Sequence, residues 1–308
     1  MSADSYIYEG GVWKKVSDAY TYNGSAWNKV STIYYWNGSA WKESFSGGFV
    51  VNKTFNSGQT NNFNIATEAT AAGWDGTTII IANLTIPSGA YLGSSSTSTY
   101  ALETALLAAG STVNLTIVNG GFLVGRGGAG GAGADASITT GSTGGNGGSA
   151  LNVITGINFN LTNNGTIGGG GGGGGGGNGG ADWFTEGNFN GGPGGGGAGF
   201  GTGGPRTVAV RTAQVGTSTA AANGTHNAGG AGLQSTLVAG EANNGSYGGT
   251  GGSGGSLGVS GNTGLNNGSG AVATYNSGSP GGAAGVAING WSTITVVTEG
   301  TILGAKNN

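Results

Sequence analysis

The chain contains no cysteine. That excludes disulfide scaffolds, thiol catalysis and Cys-ligated zinc. One histidine, His226, leaves no room for a multi-histidine metal centre. Charged residues make up only 7% of the 308 residues, and the formal net charge is −3. Between residues 54 and 305 the only basic residues are Arg126, Arg206 and Arg211. Nucleic-acid binding needs a row of cations to neutralise phosphates, so nucleic acid is not an expected partner. No apolar stretch approaches the ~20 residues of a membrane span. The start, MSADSYIYEGG, lacks the basic and apolar regions of a signal peptide. The expectation is a protein made in a cytoplasm that does not insert itself into a membrane. Four prolines exclude collagen, which needs glycine at every third residue and much proline. No GxxxxGK[ST] occurs, so nucleotide binding has no support.

Glycine is abundant, at 75 of 308 residues against a usual ~7%. Ten glycines run without a break from Gly168 to Gly177. They lie in a tract from about 120 to 290 where glycine returns in pairs and quartets. Disordered chains are usually highly charged or rich in Pro, Glu, Ser and Lys, which this chain is not. The segments between the glycine blocks, such as DWFTEGNFN (182–190), RTVAVRTAQV (206–215) and LQSTLVAGEANN (233–244), are too apolar and varied for a solvated tether.

A packed alternative is a bundle of extended helices of polyproline-II geometry built from glycine. Such a helix has three residues per turn, ~3.1 Å rise and no internal hydrogen bonds. Its backbone groups must pair with neighbouring helices, which demands close approach. Ten residues would span ~30 Å. Interior helices need glycine on every side, whereas edge helices tolerate Ala, Ser, Asn or Thr on one side, as in GRGGAGGAG (125–133). Loops at the ends of such a slab would carry the chemistry. The candidates for contact with a partner surface are Trp183, Phe184, Asn188, Phe189, Arg206, Arg211, His226, Tyr247 and Tyr275. Rigid aromatics among adaptable polar residues are also what antibody loops use.

Ahead of the tract stand two further repeats. YIYEGGVWKKVSDA, YTYNGSAWNKVSTI and YYWNGSAWKES recur with a period of fourteen, set by Tyr6, Tyr20 and Tyr34 and by Trp13, Trp27 and Trp41. Asn-Gly between aromatic segments predicts hairpins with type I′ turns, in which both central residues take positive φ. The rings, with Trp36, form either the core of a small module or a docking face, since Trp and Tyr are common interface anchors. The spacing matches no known sugar- or choline-binding repeat. The second repeat comprises TIIIANLTIPSG (78–89), NLTIVNGGFLVG (114–125), NFNLTNNGTIGG (158–169) and TITVVTEGTILG (293–304). Each alternates apolar residues, turns, steps and meets a glycine. Such units predict strands that pair or stack in one assembly, with the last returning the chain to the same sheet. A helix is expected at 100–109 (YALETALLAA), between Thr99 and Gly110.

The string VNGGFLVGRGGAGG, followed by GGNGGSALNVITGINFNLTNNGTIGGGGGGGGGG, resembles the glycine-rich receptor-recognition adhesins at the long tail fibre tips of T-even-type bacteriophages. The resemblance covers about residues 113–290. It implies a layered polyglycine-II domain whose variable loops bind a bacterial outer-membrane protein or surface glycan, on a chain that caps a trimeric fibre protein. The first 45 residues carry a different pattern and read as an attachment module, docking through Tyr6, Trp13, Tyr20, Trp27, Tyr34, Trp36 and Trp41 to that fibre or another virion appendage.

The expected fold is mostly non-α. It comprises hairpin repeats over 1–45, a small β-rich connecting region with one short helix over 46–118, a polyglycine-II bundle with long end loops over 119–290, and a closing strand over 291–308. An enzyme is not expected. Glycoside hydrolysis needs two carboxylates flanking a bond, and only Asp182 and Glu186 share a loop. No catalytic residue, metal or cofactor is assigned. Two other readings remain: a structural virion protein without receptor contact, and, remotely, an ice-binding protein.

Overall fold

A computed structural model describes residues 6–16, 19–30, 32–46, 48–134, 140–181, 188–189, 191–205, 220–233, 248–266 and 278–308. The amino-terminal repeats are three separate antiparallel hairpins. They pair β1 (Tyr6–Glu9) with β2 (Val12–Lys15), β3 (Ala19–Tyr22) with β4 (Trp27–Val30), and β5 (Thr32–Trp36) with β6 (Trp41–Ser46). Only the first turn has two central residues at positive φ, Gly10 and Gly11. In the other two, glycine alone takes positive φ, and the preceding asparagine works through its side chain. Asn23 Oδ1 accepts from the N–H groups of Ser25 and Ala26 at 3.0 and 2.9 Å, and Asn37 does the same for Ser39 and Ala40. These are four-residue Asx loops rather than the type I′ turns expected.

From residue 49 the chain coils. Turn one supplies β7 (Phe49–Thr54), β8 (Gly58–Asn61) and β9 (Phe63–Asn64), followed by α1 (Ile65–Ala71). Turn two supplies β10 (Ile80–Ile86), β11 (Ala90–Gly93) and β12 (Leu102–Glu103), and turn three β13 (Thr112–Ile117), β14 (Phe122–Val124) and β15 (Leu151–Asn152). Turn four contains β16 (Asn158–Asn163) and β17 (Thr166–Gly168). After a small hairpin of β18 (Gly180–Ala181) and β19 (Asn188–Phe189), it closes with β20 (Ile288–Asn289). Turn five is β21 (Ile294–Thr298), β22 (Thr301–Leu303) and β23 (Lys306–Asn307). Each turn gives one strand to each of three parallel five-stranded sheets, ordered β21-β16-β13-β10-β7, β22-β17-β14-β11-β8 and β23-β20-β15-β12-β9.

The coil is stacked on period-two alternation. In the first sheet Leu84, Leu115 and Leu161 lie in register, as do Ala82, Val113 and Phe159, and all six are buried. The alternate, outward column is an amide ladder. Asn83 Nδ2 donates to Asn52 Oδ1, Asn114 to Asn83, and Asn160 to Asn114, each at 2.8 Å. The four repeated segments of the sequence thus supply the neighbouring strands β10, β13, β16 and β21.

The helix expected at 100–109 does not form. Leu102 is drawn into the coil, in register with Phe63 and Leu151, and Leu106 takes a positive φ of 73°. Tertiary packing overrides local propensity there. The helix is α1 instead, capped by Asn64, whose side chain accepts from Thr67 N–H at 2.9 Å. It is tied to turn one by the Lys53–Glu68 ion pair at 2.7 Å.

The glycine tract leaves the coil twice from one corner, after Val124 in turn three and after Gly168 in turn four, and returns at Leu151 and Ile288. The coil therefore takes residues from both sides of the boundaries expected at 118 and 290. Within the tract the stretches lie side by side, and hydrogen bonds repeat every third residue. N–H groups of Gly170, Gly173 and Gly176 donate to Gly148, Gly145 and Ser142, while those of Gly171, Gly174 and Gly177 donate to Ala198, Gly195 and Gly192. Gly172 and Gly175 donate to Val259 and Asn262. The carbonyls of Gly171 and Gly174 accept from Gly128 and Gly131, those of Gly172 and Gly175 from Gly255 and Gly252, and those of Gly170 and Gly173 from Gly285 and Gly282. The run thus has six neighbouring stretches, three on its donor sides and three on its acceptor sides. A Cβ on Gly173 would land on the carbonyl oxygen of Ala129, and comparable collisions await at every residue from Gly169 to Gly177.

Gly173→Ala is expected to lower stability by about 3 kcal/mol, at the upper end of overpacking penalties, because only rigid backbone faces the new methyl. Ala129→Ser, at an exposed position, should change it by less than about 0.5 kcal/mol. Calorimetric melting of the two variants checks the contrast, and equal melting temperatures would contradict it.

Candidate functional site

The two ends of the glycine slab differ. At the end away from the coil, the stretches are clamped to one another just before and after the segments 135–139, 182–187, 206–219, 234–247 and 267–277. Ala134 N–H donates to Gly177, Gly191 to Ala134, Gly177 to Gly192, and Gly192 to Gly249. Leu233 donates to Pro193, Gly204 to Gly194, and Ser279 to Gly176, all between 2.8 and 3.1 Å. The described residues that bracket all five segments thus share one end. Among the expected contact residues, Asn188 and Phe189 form β19, pairing with Ala181 and Gly180. Trp183, Phe184, Arg206, Arg211, Tyr247 and Tyr275 lie outside the described residues.

His226 lies apart from these segments. It sits at the opposite end, in the turn at 224–228, half-buried against the second sheet of the coil. Its ring meets Tyr91 edge-on at 4.4 Å and Phe122 at 5.2 Å, while Tyr91 and Phe122 stack at 5.0 Å and Phe200 packs on Tyr91 at 6.0 Å. Beneath them Val124, Ala198 and Leu257 are buried together. These aromatics join slab to coil, with His226 half-buried among them. The sequence held a signal for part of this joint. Tyr91 and Phe122 occupy matching positions in AYLG (90–93) and GFLV (121–124) and pair across the sheet.

The hairpin rings do not form a core. Trp13, Trp27 and Trp41 are 69%, 70% and 68% exposed, and Tyr20, Tyr34 and Trp36 are exposed as well. Each tryptophan leans on an aromatic of the opposite strand. Tyr8–Trp13 and Tyr22–Trp27 have ring centroids 5.2 Å apart, and Trp36–Trp41 5.7 Å. Tyr6 pairs with Lys15 through β1 and β2. Among the described residues no group of His, Asp and Glu is gathered as a metal site, and no helix is long and apolar enough to cross a membrane.

Burial lowers the pKa of His226 to about 4. Its folded value lies below the unfolded ~6.5, so the unfolded chain takes up the proton first. The stability from the neutral ring is fully present above about pH 6.5 and is lost as pH falls towards 4. His226→Phe keeps the ring contacts without the titration. Wild-type melting temperature should therefore drop relative to the variant between pH 6.5 and 4 and run parallel to it above pH 7. Parallel curves throughout would show that the ring does not couple protonation to folding.

The model of the family described as phage tail fibre adhesin Gp38 matches residues 50–307. The match thus covers the whole coil and slab, wider than 113–290, and excludes the hairpins. No curated protein matches the chain. Among solved structures, the crystal structure of the gp37-gp38 adhesin tip complex of the bacteriophage S16 long tail fiber matches with a TM-score of 0.51 and 26% sequence identity, over 88% of this chain and 86% of that one. A strand-rich coil bearing a glycine slab, matched over nearly its whole length, identifies the chain as a member of the phage tail fibre adhesin Gp38 family.

Proposed function

We propose that this virion protein is a fibre-tip adhesin that grips a receptor on the host cell through the five segments at the far end of the slab. The observation that carries this reading is their common origin. The described residues before and after each of the five segments are backbone-clamped glycine stretches at one end of the slab. Trp183, Phe184, Asn188, Phe189, Arg206, Arg211, Tyr247 and Tyr275 are the contact residues. The slab is a polyglycine-II bundle, a reading supported by hydrogen bonds repeating every third residue to six neighbours. A rigid support suits recognition, since fixing the bases of the segments reduces the entropy lost on binding. The receptor is a bacterial outer-membrane protein or surface glycan, and no catalysis is involved.

The hairpins dock to the fibre. Their tryptophans expose large apolar rings that are unsatisfied in the free chain, and three equivalent hairpins suit a trimeric fibre protein, one to each chain. The related tip pairs with gp37, and a fibre protein of that kind is the proposed partner here. The three sheets of the coil also each leave one strand edge open at turn one, at β7, β8 and β9, which extends the three-fold match.

Exchanging residues 182–190 and 206–215 for those of a relative should change host range while particles still assemble. Unchanged adsorption would remove the segment assignment and favour a structural virion role. Trp13, Trp27 and Trp41 replaced together by alanine should release the protein from particles, read by immunoblot of purified virions. Full retention would refute the docking role.

A further inference from the structure

Along the flank of the slab, beside the coil, runs an open groove of about 310 Å³. It lies between the β11–β12 loop and the outer glycine stretches, lined by Ser95, Ser96, Thr97, Arg126, Asn146 and Thr202 together with bare glycine backbone. The groove is distinct from the far-end segments and belongs to none of the surfaces described above. Its chemistry is one-sided. Arg126 makes no ion pair and no side-chain hydrogen bond among the described residues, and no carboxylate lines the groove. Asn146 Oδ1 accepts from Ala283 N–H at 2.9 Å, and its Nδ2 makes no hydrogen bond among the described residues. Ser95 Oγ accepts from Asn62 Nδ2, leaving its own proton to donate. A guanidinium, an amide NH₂ and a hydroxyl with donors to spare therefore belong to residues that line one groove. An oxyanion is the group that satisfies all three, with the arginine able to bond it through two N–H groups.

The remainder of the lining decides what carries the oxyanion. Ser96, Thr97 and Thr202 offer small hydroxyls, and the floor is glycine backbone. No aromatic or large aliphatic side chain is present to anchor a peptide. The geometry points to a lateral subsite for an acidic sugar, a polyhydroxylated ring bearing a carboxylate or phosphate, with Arg126 as its anion-binding residue. The subsite adds a glycan contact on the side of the adhesin, and it stands whether or not the far-end segments bind a cell.

The full chain is titrated with glucuronate, glucose 6-phosphate and glucose, followed by chemical shifts or calorimetry. At least one acidic sugar should bind about tenfold or more tighter than glucose, and whichever acid wins assigns carboxylate or phosphate. Arg126→Ala should abolish the preference, and Arg126→Lys should restore part of it by returning the charge without the two-pronged geometry. Thr202→Trp, which fills the groove while leaving Arg126 in place, should abolish binding too. Equal or undetectable affinity for the three sugars overturns the inference, as does a preference that survives either Arg126→Ala or Thr202→Trp. Polyglutamate binding as tightly as the acidic sugars would assign the groove to acidic protein segments and overturn the saccharide reading. The same preparations are tested on host cells. Cell binding without any sugar preference rejects the subsite alone. A sugar preference without cell binding rejects the adhesin reading alone.

Discussion

The N–H groups of Gly170, Gly173 and Gly176 reach the carbonyls of Gly148, Gly145 and Ser142 at 2.8–2.9 Å, across a gap that no Cβ can enter. Everything else about the slab depends on that approach. An extended three-residue repeat satisfies none of its own polar groups, so each N–H and C=O must find another stretch. A typical hydrogen bond contributes about 0.5–1.5 kcal/mol net. Glycine costs roughly 0.5–1 kcal/mol more than alanine to order in regular structure. The two nearly cancel, so no single stretch holds its shape alone. Order has to come from having all six neighbours at once and from anchoring at a body with an ordinary core.

The coil is that body. Its buried columns of leucine, isoleucine and valine supply the apolar burial that the slab lacks, and its turns three and four open at the same corner to let the glycine stretches out. Both excursions start in strands of the second sheet, β14 and β17, which are hydrogen-bonded neighbours. The first and central glycine stretches therefore begin already paired, and the bond from Gly125 to Gly168 continues the sheet ladder into the slab. The joint of Tyr91, Phe122, Phe200 and His226 then covers the flank of this transition. Sheet register and slab register are one register.

Much of this was legible in the sequence for a physical reason. The ten glycines at 168–177 mark a position surrounded on all sides, and the alanines of GRGGAGGAG mark stretches with a free side. The alternation in 78–89, 114–125, 158–169 and 293–304 gave the first sheet, because period-two burial leaves a local trace. What could not be read is what depends on distant partners. Leu102 looks helical until Phe63 and Leu151 place it in a strand, while Asn64 and Gly73 bracket the real helix in a less apolar stretch. His226 looks like a loop anchor because nothing local records Tyr91, 135 residues earlier. The groove at Arg126 joins residues near 95, 126, 146 and 202, and no sequence window contains them together. That the described residues bracketing all five segments share one end follows only from the alternating direction of the stretches.

The bonds that fix those segment bases are made by main-chain atoms. A side-chain core constrains the sequence of whatever it touches, because volume changes of a methylene are felt. A main-chain lattice constrains only where glycine must stand. Between Ala134 and Gly141, or between Gly204 and Ala221, the chain can vary in length and composition while the clamps at Gly177, Gly194 and Gly204 keep the same partners. On the reading proposed here, this separates the two demands on a fibre-tip adhesin. Rigidity would then reside in residues that carry no side-chain information, and recognition in the segments between them. On the same reading the hairpins repeat the division at the other end of the chain, where a Gly-Gly turn and two Asx loops set the backbone and the tryptophans stand exposed.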